Sequence, residues 1–312
     1  MNKSTKIWLN ALVGLAISVL LLFSIYHQIH TQLVRFPNYS FSGLSTRYLF
    51  LCLILMPFNM VVEVLKWKFL SNAAQPTTLA EAWKSYFAGI SLSLITPNRI
   101  GEYPGRLLYL KRKNTVRLVS VSILGAFTQF VTLFFYGIIG LCYYNFAFPG
   151  YWQQIALGIS FIVLALLLVA FFLFEQWASW IENFPWLRRL HTYRSLIHRF
   201  SMSEQLIVLG LSMLRFLIYS VQFLLLLAWM NIPLLTIKGW LLTTLYFWCI
   251  AVIPSIAFAE LGIRGQVSLF IFQSSTGNVI GVLIASLGLW AINLILPALI
   301  GSVLLIRIRF FK

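Results

Sequence analysis

The chain has 312 residues, of which 60% are hydrophobic and only 10% charged, and its mean hydropathy is +0.88. This composition excludes an ordinary soluble domain and predicts an all-α, polytopic membrane bundle. The formal net charge of +16 could indicate nucleic-acid binding. However, most Lys and Arg residues fall at segment ends that topology places on one side, so the positive-inside rule explains them and we expect no nucleic-acid partner.

The first two apolar segments fix the predicted orientation. Lys3 and Lys6 precede an apolar run at 7–25 that lacks a small-residue cleavage site, so we predict an uncleaved first span with a cytoplasmic N-terminus. A second span at about 48–65 runs back to the cytoplasm, where two lysines follow it.

The next apolar block, 82–110, is interrupted by Pro97, Gly101, Pro104 and Gly105. Basic residues flank it at both ends, so both ends are predicted to be cytoplasmic. Because a full span needs roughly 20 residues, the block is too short for two crossings. It predicts a re-entrant helical hairpin.

Two further spans, at about 118–144 and 155–174, return the chain to the inside. Residues 175–202 then mix Arg, Glu and Trp, a composition typical of helices that lie along an anionic cytoplasmic leaflet. Another span at about 206–230 reaches the outside.

The second broken block, 238–273, contains Pro254 and is predicted to enter from the opposite face. A last span at about 279–306 is followed by basic residues, which predicts a cytoplasmic C-terminus. The count is six full spans and two hairpins that enter from opposite faces, an arrangement typical of an inverted repeat. We therefore predict one integral membrane domain, 1–312, whose halves are about 1–150 and 151–312.

Both broken blocks carry the pattern Glu-x-x-x-Arg after a proline, as Glu102 with Arg106 and as Glu260 with Arg264. The i, i+4 spacing allows each pair to meet on one helical face. An ionisable group at membrane depth costs about 2.5–3.5 kcal/mol and normally faces the bundle interior. The pairs are either structural ion pairs or part of a binding site, and their repetition favours the binding site. The residues predicted to shape the two breaks are Pro97, Gly101, Pro104, Pro254 and Gly262.

Two further arginines extend the candidate site. Arg99 has no carboxylate three or four residues before it. Arg215 lies within its span on a stripe with Ser212, Tyr219 and Gln222, so it is predicted to face inward. Its guanidinium could hold a phosphate through paired N–H donors, or it could pair with Glu102 or Glu260 to stabilise the bundle.

Other polar residues have simpler interpretations. Glu63 is three residues before Lys66 near a span end, which indicates an interfacial pair whose lysine snorkels to the membrane surface. The three cysteines and four histidines show no metal-ligand spacing, and no nucleotide-binding or hydrolase motif occurs. We expect no metal and no cofactor.

The segments 94–106 and 254–264 resemble those of the flippase-like membrane domain of lysylphosphatidylglycerol synthases. In that family a proline-containing apolar stretch leads to Gly-Glu and then Arg, and a later proline precedes Gly-x-Arg. Many members have an acid where this chain has Gly265, and a glycine where it has Glu260. The resemblance covers nearly the full length and implies the membrane half alone, the part associated with moving lipids between leaflets. The aminoacyl transferase domain of the full synthases is expected to be absent.

We therefore predict a translocase of a phospholipid or lipid-linked phosphate in the bacterial cytoplasmic membrane, rather than an enzyme. The residues expected to contact the anionic lipid headgroup are Arg99, Glu102, Arg106, Arg215, Glu260 and Arg264. One alternative is a membrane-embedded transferase with Glu102 as general base beside the arginines. Another is a non-catalytic scaffold for envelope lipid enzymes.

Overall fold

The computed structural model describes residues 45–96, 99–111, 114–173, 200–253 and 260–306. All secondary structure in these ranges is helical. The helices are α1 Thr46–Ala74, α2 Leu79–Ile95, α3 Glu102–Leu107, α4 Thr115–Ala147, α5 Tyr151–Phe172, α6 Met202–Trp229, α7 Ile237–Val252, α8 Glu260–Phe272, α9 Val279–Trp290 and α10 Leu296–Ile306. A π-helical segment, Ala291–Ile295, joins α9 to α10 without a break.

Five of the described helical stretches are long and apolar enough to cross a membrane. They are α1, α4, α5, α6 and the continuous stretch Val279–Leu305. These five candidate spans coincide with the segments predicted at about 48–65, 118–144, 155–174, 206–230 and 279–306. The predicted first span at 7–25 and the predicted interfacial segment at 175–202 lie outside the described residues, apart from the last three residues of that segment.

Each broken block forms two short helices rather than one span. The first forms α2 and α3, and the second forms α7 and α8. Helix α2 ends where Thr96 becomes extended, because the residues before a proline are pushed out of the helical region. Arg99 follows with a positive φ of 58°. The breaks in the helices are thus confirmed, whereas the re-entrant path through a membrane and the inverted symmetry remain predictions.

The helices pack around two apolar clusters. Helix α1 packs along α6, α4 packs along α7, and α2 packs against both α3 and α10. Trp67 and Leu70 of α1 belong to one cluster, and Phe223 and Tyr246 belong to the other. Phe171 is the one apolar side chain of α5 that is buried, as expected of a helix that faces lipid.

Helices α2 and α3 approach each other closely through two glycines. A Cβ atom added to Gly105 would lie 2.6 Å from the Cα atom of Gly89 and 2.7 Å from the carbonyl oxygen of Ala88. Both obstacles are backbone atoms, which cannot rotate away. This contact positions Arg106, since its Cγ atom lies against Gly89.

We expect Gly105→Ala to lower the free energy of unfolding by about 1–3 kcal/mol, because the added methyl group would force α3 away from α2. Gly158→Ala is the matched control, since a Cβ atom on Gly158 meets nothing within 4 Å. The control should be neutral or slightly stabilising. Unfolding in detergent micelles measures both changes, and equal stabilities of the two variants would contradict the close contact.

A capping box begins α2. The backbone N–H and the hydroxyl of Thr78 donate hydrogen bonds to the Glu81 carboxylate at 2.8 and 2.9 Å, and the Glu81 backbone N–H donates back to the Thr78 hydroxyl. The bonds from Thr78 hold the pKa of Glu81 below its ordinary value. Glu81 therefore contributes stability above its ordinary pKa, and the contribution is lost as the pH falls through the lowered folded pKa.

Glu81→Gln should accordingly lower the thermal midpoint at pH 7 more than at an acidic pH below the lowered folded pKa, where the wild-type carboxylate is protonated. Thermal unfolding of the two proteins in the same detergent at both pH values measures the difference. A deficit that is equal at both pH values would show that the charge of Glu81 has no part in the cap.

Candidate functional site

The carboxylate of Glu63 on α1 is the centre of a buried cluster of charged residues. Its Oε1 atom accepts a hydrogen bond from Arg106 Nη2 at 2.6 Å. Its Oε2 atom is 2.9 Å from Arg215 Nη1 and 3.0 Å from Lys66 Nζ. One carboxylate on α1 thus joins α3 and α6 through two guanidinium groups.

Arg106 is shared between two acids. Its Nη2 atom also donates to Glu102, one turn earlier on α3, as the i, i+4 spacing predicts. The guanidinium lies over the ring of Trp67, with 5.0 Å from its central carbon to the ring centroid. Both the Nε atom of Arg106 and the indole nitrogen of Trp67 are buried donors without a partner in the described structure.

Amide side chains orient Arg215 from the other side. Its Nε atom donates to Asn59 Oδ1 at 3.1 Å, and the Asn59 amide nitrogen donates to Asn293 Oδ1 at 2.8 Å. Asn293 lies in the π-helical segment, an irregularity that often occurs at functional sites. Gln222 lies within 3.5 Å of Asn59 and donates to the carbonyl oxygen of Cys52.

Lys66 completes the cluster on the α6 side. Its ammonium group lies 3.4 Å from the hydroxyl of Ser212, which is 3.0 Å from the Thr128 hydroxyl on α4. Three long helices therefore supply the polar surroundings of Glu63.

The Glu63 cluster contains three cations and two carboxylates, so its formal charge is +1 when every group has its usual protonation state. Its members are Lys66, Arg106, Arg215, Glu63 and Glu102. Its members differ sharply in exposure. The side chains of Glu63 and Lys66 are 3% exposed, whereas those of Arg215 and Glu102 are 27% and 32% exposed. Arg215 and Glu102 therefore form the exposed edge of the cluster, whereas Glu63 and Lys66 are enclosed.

The structure brings together three of the residues predicted from sequence, namely Glu102, Arg106 and Arg215. Arg264 is also buried, on α8, where its carbonyl oxygen accepts a hydrogen bond from the Ser286 hydroxyl. The Arg99 backbone N–H donates to the Thr96 carbonyl in the turn between α2 and α3. The segment 254–259 and the Glu260 side chain lie outside the described residues, as does Pro97.

Of the five glycine and proline residues predicted to shape the breaks, the three that the structure describes fall where helices begin. Gly101 directly precedes α3, and Thr96 accepts a 2.7 Å hydrogen bond from its backbone N–H. Pro104 lies in the first turn of α3, where a missing N–H costs no helical hydrogen bond. Gly262 lies in the first turn of α8.

The interpretation of Glu63 and Lys66 as a snorkelling interfacial pair is wrong. The two side chains do pair, but snorkelling requires an exposed ammonium group, and that of Lys66 is buried between α1 and α6. In the structure Arg215 pairs with Glu63. The predicted alternative, in which Arg215 pairs with Glu102 or Glu260, did not include this acid.

Sequence reasoning thus missed Glu63 as the centre, together with Asn59 and Asn293. The sequence did contain a signal for Glu63 and Asn59. Asn59, Glu63 and Lys66 follow one another at i, i+4 and i+7, which places them on one face of α1. Asn293 is a single polar residue in an apolar span, and no pattern in the sequence indicates the π-helical segment that carries it.

The cluster is suited to binding an anion rather than a metal ion. Three cationic side chains converge on it, and two guanidinium groups offer planar sets of N–H donors that match phosphate or carboxylate oxygens. In the described part of the chain, no group of three or more His, Cys, Asp or Glu residues could hold a metal ion.

The sequence was compared with models of known protein families. The family model described as "Lysylphosphatidylglycerol synthase TM region" matches residues 11–301, nearly the whole chain. No curated protein and no solved structure shows a significant match.

Proposed function

Because the chain belongs to the lysylphosphatidylglycerol synthase TM-region family, we propose that it translocates a phospholipid or lipid-linked phosphate between the leaflets of the bacterial cytoplasmic membrane. The phosphate of the headgroup binds at the Glu63 cluster while the acyl chains stay in the bilayer. The observation that carries the proposal is a positively charged cluster, buried between apolar helices, that leaves one arginine side chain partly exposed at its edge.

The chemistry of the cluster favours a phosphate over a neutral headgroup. Arg215 is held by Asn59 and Glu63, yet its side chain is still 27% exposed, so a ligand can reach part of the side chain that carries this oriented guanidinium. A formal charge of +1 in an apolar protein interior is costly unless an anion visits it. A headgroup phosphate would supply that negative charge.

Charge neutralisation also explains how such a site could assist translocation. A phosphate crossing the hydrocarbon core without a partner would lose its hydration, which is prohibitively expensive. Guanidinium groups at membrane depth replace that hydration with fixed N–H donors. The absence of a recognisable catalytic motif from the sequence fits transport better than lipid chemistry, so we propose that the chain is not an enzyme.

The experiment is a translocation assay with the purified full chain in proteoliposomes. Phosphatidylglycerol carries a label on its acyl chain, and membrane-impermeant dithionite reduces the label wherever it is in the outer leaflet. The rate at which label from the inner leaflet becomes accessible to dithionite is compared with the rate in protein-free vesicles. We expect faster exposure of the label and no change in lipid mass. A rate equal to that of protein-free vesicles for phosphatidylglycerol and polyprenyl phosphate alike would refute translocation, and a lipid product of altered mass would favour a transferase.

A further inference from the structure

We infer that Glu102 is an internal competitor for the anionic ligand: its carboxylate occupies the position on Arg106 that the phosphate takes when the ligand binds. Glu63, in contrast, stays in place in both states. The inference deepens the proposed function, because it rests on the same binding site.

The two carboxylates on Arg106 are held very differently. Glu63 pairs with Lys66, Arg106 and Arg215 and is almost fully buried, so removing it from the cluster would break three ion pairs. Within the described residues, the ion pair found for Glu102 is with Arg106, and its side chain is 32% exposed. Glu102 is therefore the acid that can leave its partner and be solvated.

The guanidinium of Arg106 has capacity that Glu102 does not use. Its Nη2 atom serves both acids, whereas its Nε atom is buried and without a partner. Nε and Nη2 lie on the same edge of a guanidinium group, which two oxygens of one anion can engage together. A phosphate in the place of the Glu102 carboxylate would satisfy both nitrogens.

A second unused donor belongs to the ring over which the Arg106 guanidinium lies. The indole nitrogen of Trp67 is buried without a partner, and the ring is in contact with the Arg106 guanidinium. Buried donors without acceptors are rare in folded proteins, so each one needs an explanation. A tetrahedral anion with several acceptor oxygens supplies what a single carboxylate does not, and this favours a phosphate as the ligand.

The location of Glu102 on α3 also suits displacement. This helix has only six residues and directly follows the turn that contains Arg99. A rotation of the Glu102 side chain would withdraw its carboxylate, while the backbone of α3 stays packed against Gly89 and Leu92 of α2.

Competition predicts that removing the charge of Glu102 strengthens anion binding. Glu102→Gln should bind dihexanoyl-phosphatidylglycerol about tenfold more tightly than the wild type, the equivalent of about one charge-assisted hydrogen bond that no longer has to be broken. If Glu102 instead helped to bind the headgroup or only held α3 in place, the same substitution would weaken binding or leave it unchanged.

The test is calorimetric titration of the full chain in a neutral detergent with dihexanoyl-phosphatidylglycerol and, separately, with inorganic phosphate. Tighter binding of the lipid alone identifies a lipid headgroup as the ligand, and tighter binding of both identifies phosphate itself. Glu204→Gln, a change of the same kind at an exposed helix cap, is the control and should bind like the wild type.

Glu102→Asp provides a second variant in case the Gln variant fails to fold. The shorter acid keeps its charge but reaches Arg106 less well, so binding should tighten by a smaller factor. Unchanged or weaker binding in the folded variants, or no binding by any of the proteins, overturns the inference. A different outcome is that the Glu102 variants bind more tightly but the wild-type protein translocates lipid no faster than protein-free vesicles do. That outcome would refute the proposed function and leave the competition by Glu102 intact.

Discussion

Glu63→Gln is expected to lower the free energy of unfolding by about 3–5 kcal/mol, the typical cost of removing one partner from a buried ion pair. The substitution leaves Lys66, Arg106 and Arg215 close together with only Glu102 to balance them. Two of these cations are almost fully buried and cannot be hydrated in place. Equilibrium unfolding in mixed detergent micelles measures the change.

The control for this effect is Glu204→Gln, which removes an exposed carboxylate and should cost far less. A rescue variant is more specific. Adding Lys66→Met to Glu63→Gln returns the formal charge of the cluster to +1, so it should recover part of the lost stability. A Glu63→Gln variant as stable as Glu204→Gln would show that the cluster is not a buried ionic network.

Arg215→Gln is expected to reduce headgroup translocation at least tenfold, because it removes one of the two guanidinium groups from the site. The variant should still fold, since Lys66 and Arg106 then balance Glu63 and Glu102. Arg215→Lys keeps the charge but loses the planar donor set and the bond to Asn59, so its rate should fall between those of Arg215→Gln and the wild type. The dithionite assay measures these rates.

The matched control for the arginine is Arg47→Gln. Arg47 is exposed at the start of α1 and contacts the adjacent Tyr48. We expect the Arg47→Gln variant to translocate lipid at the wild-type rate. A wild-type rate in a folded Arg215→Gln variant would exclude Arg215 from the headgroup site.

The sequence was sufficient to predict the long helices and the interruptions of the broken blocks. Twenty or more apolar residues with basic flanks have few structural solutions in a membrane, and prolines and glycines that occur close together interrupt a helix, whereas the single Pro57 lies inside α1 without ending it. The pairing of Glu102 with Arg106 also followed from spacing, because residues four apart meet on a helix. These are local properties, which need no knowledge of how the helices pack.

The centre of the site depends on packing and was therefore not predicted. Glu63 and Lys66 satisfy the same local pattern as an exposed surface pair, and only the neighbouring α6 shows that they are buried. Arg215 was predicted to face inward, but its partner could not be chosen among the acids without knowing that α1 lies alongside α6. Contacts between residues 150 or more positions apart, such as those from Arg215 to Asn59 and Glu63, leave no periodic signal in one sequence.

The central claim is that the Glu63 cluster holds the phosphate of a lipid headgroup. The most direct measurement is an experimental structure of the full chain with bound dihexanoyl-phosphatidylglycerol. We expect phosphate oxygens within about 3 Å of the guanidinium groups of Arg215 and Arg106, with Glu63 unmoved and the Glu102 carboxylate displaced. A phosphate bound elsewhere, with the Glu63 cluster unchanged, would contradict the account.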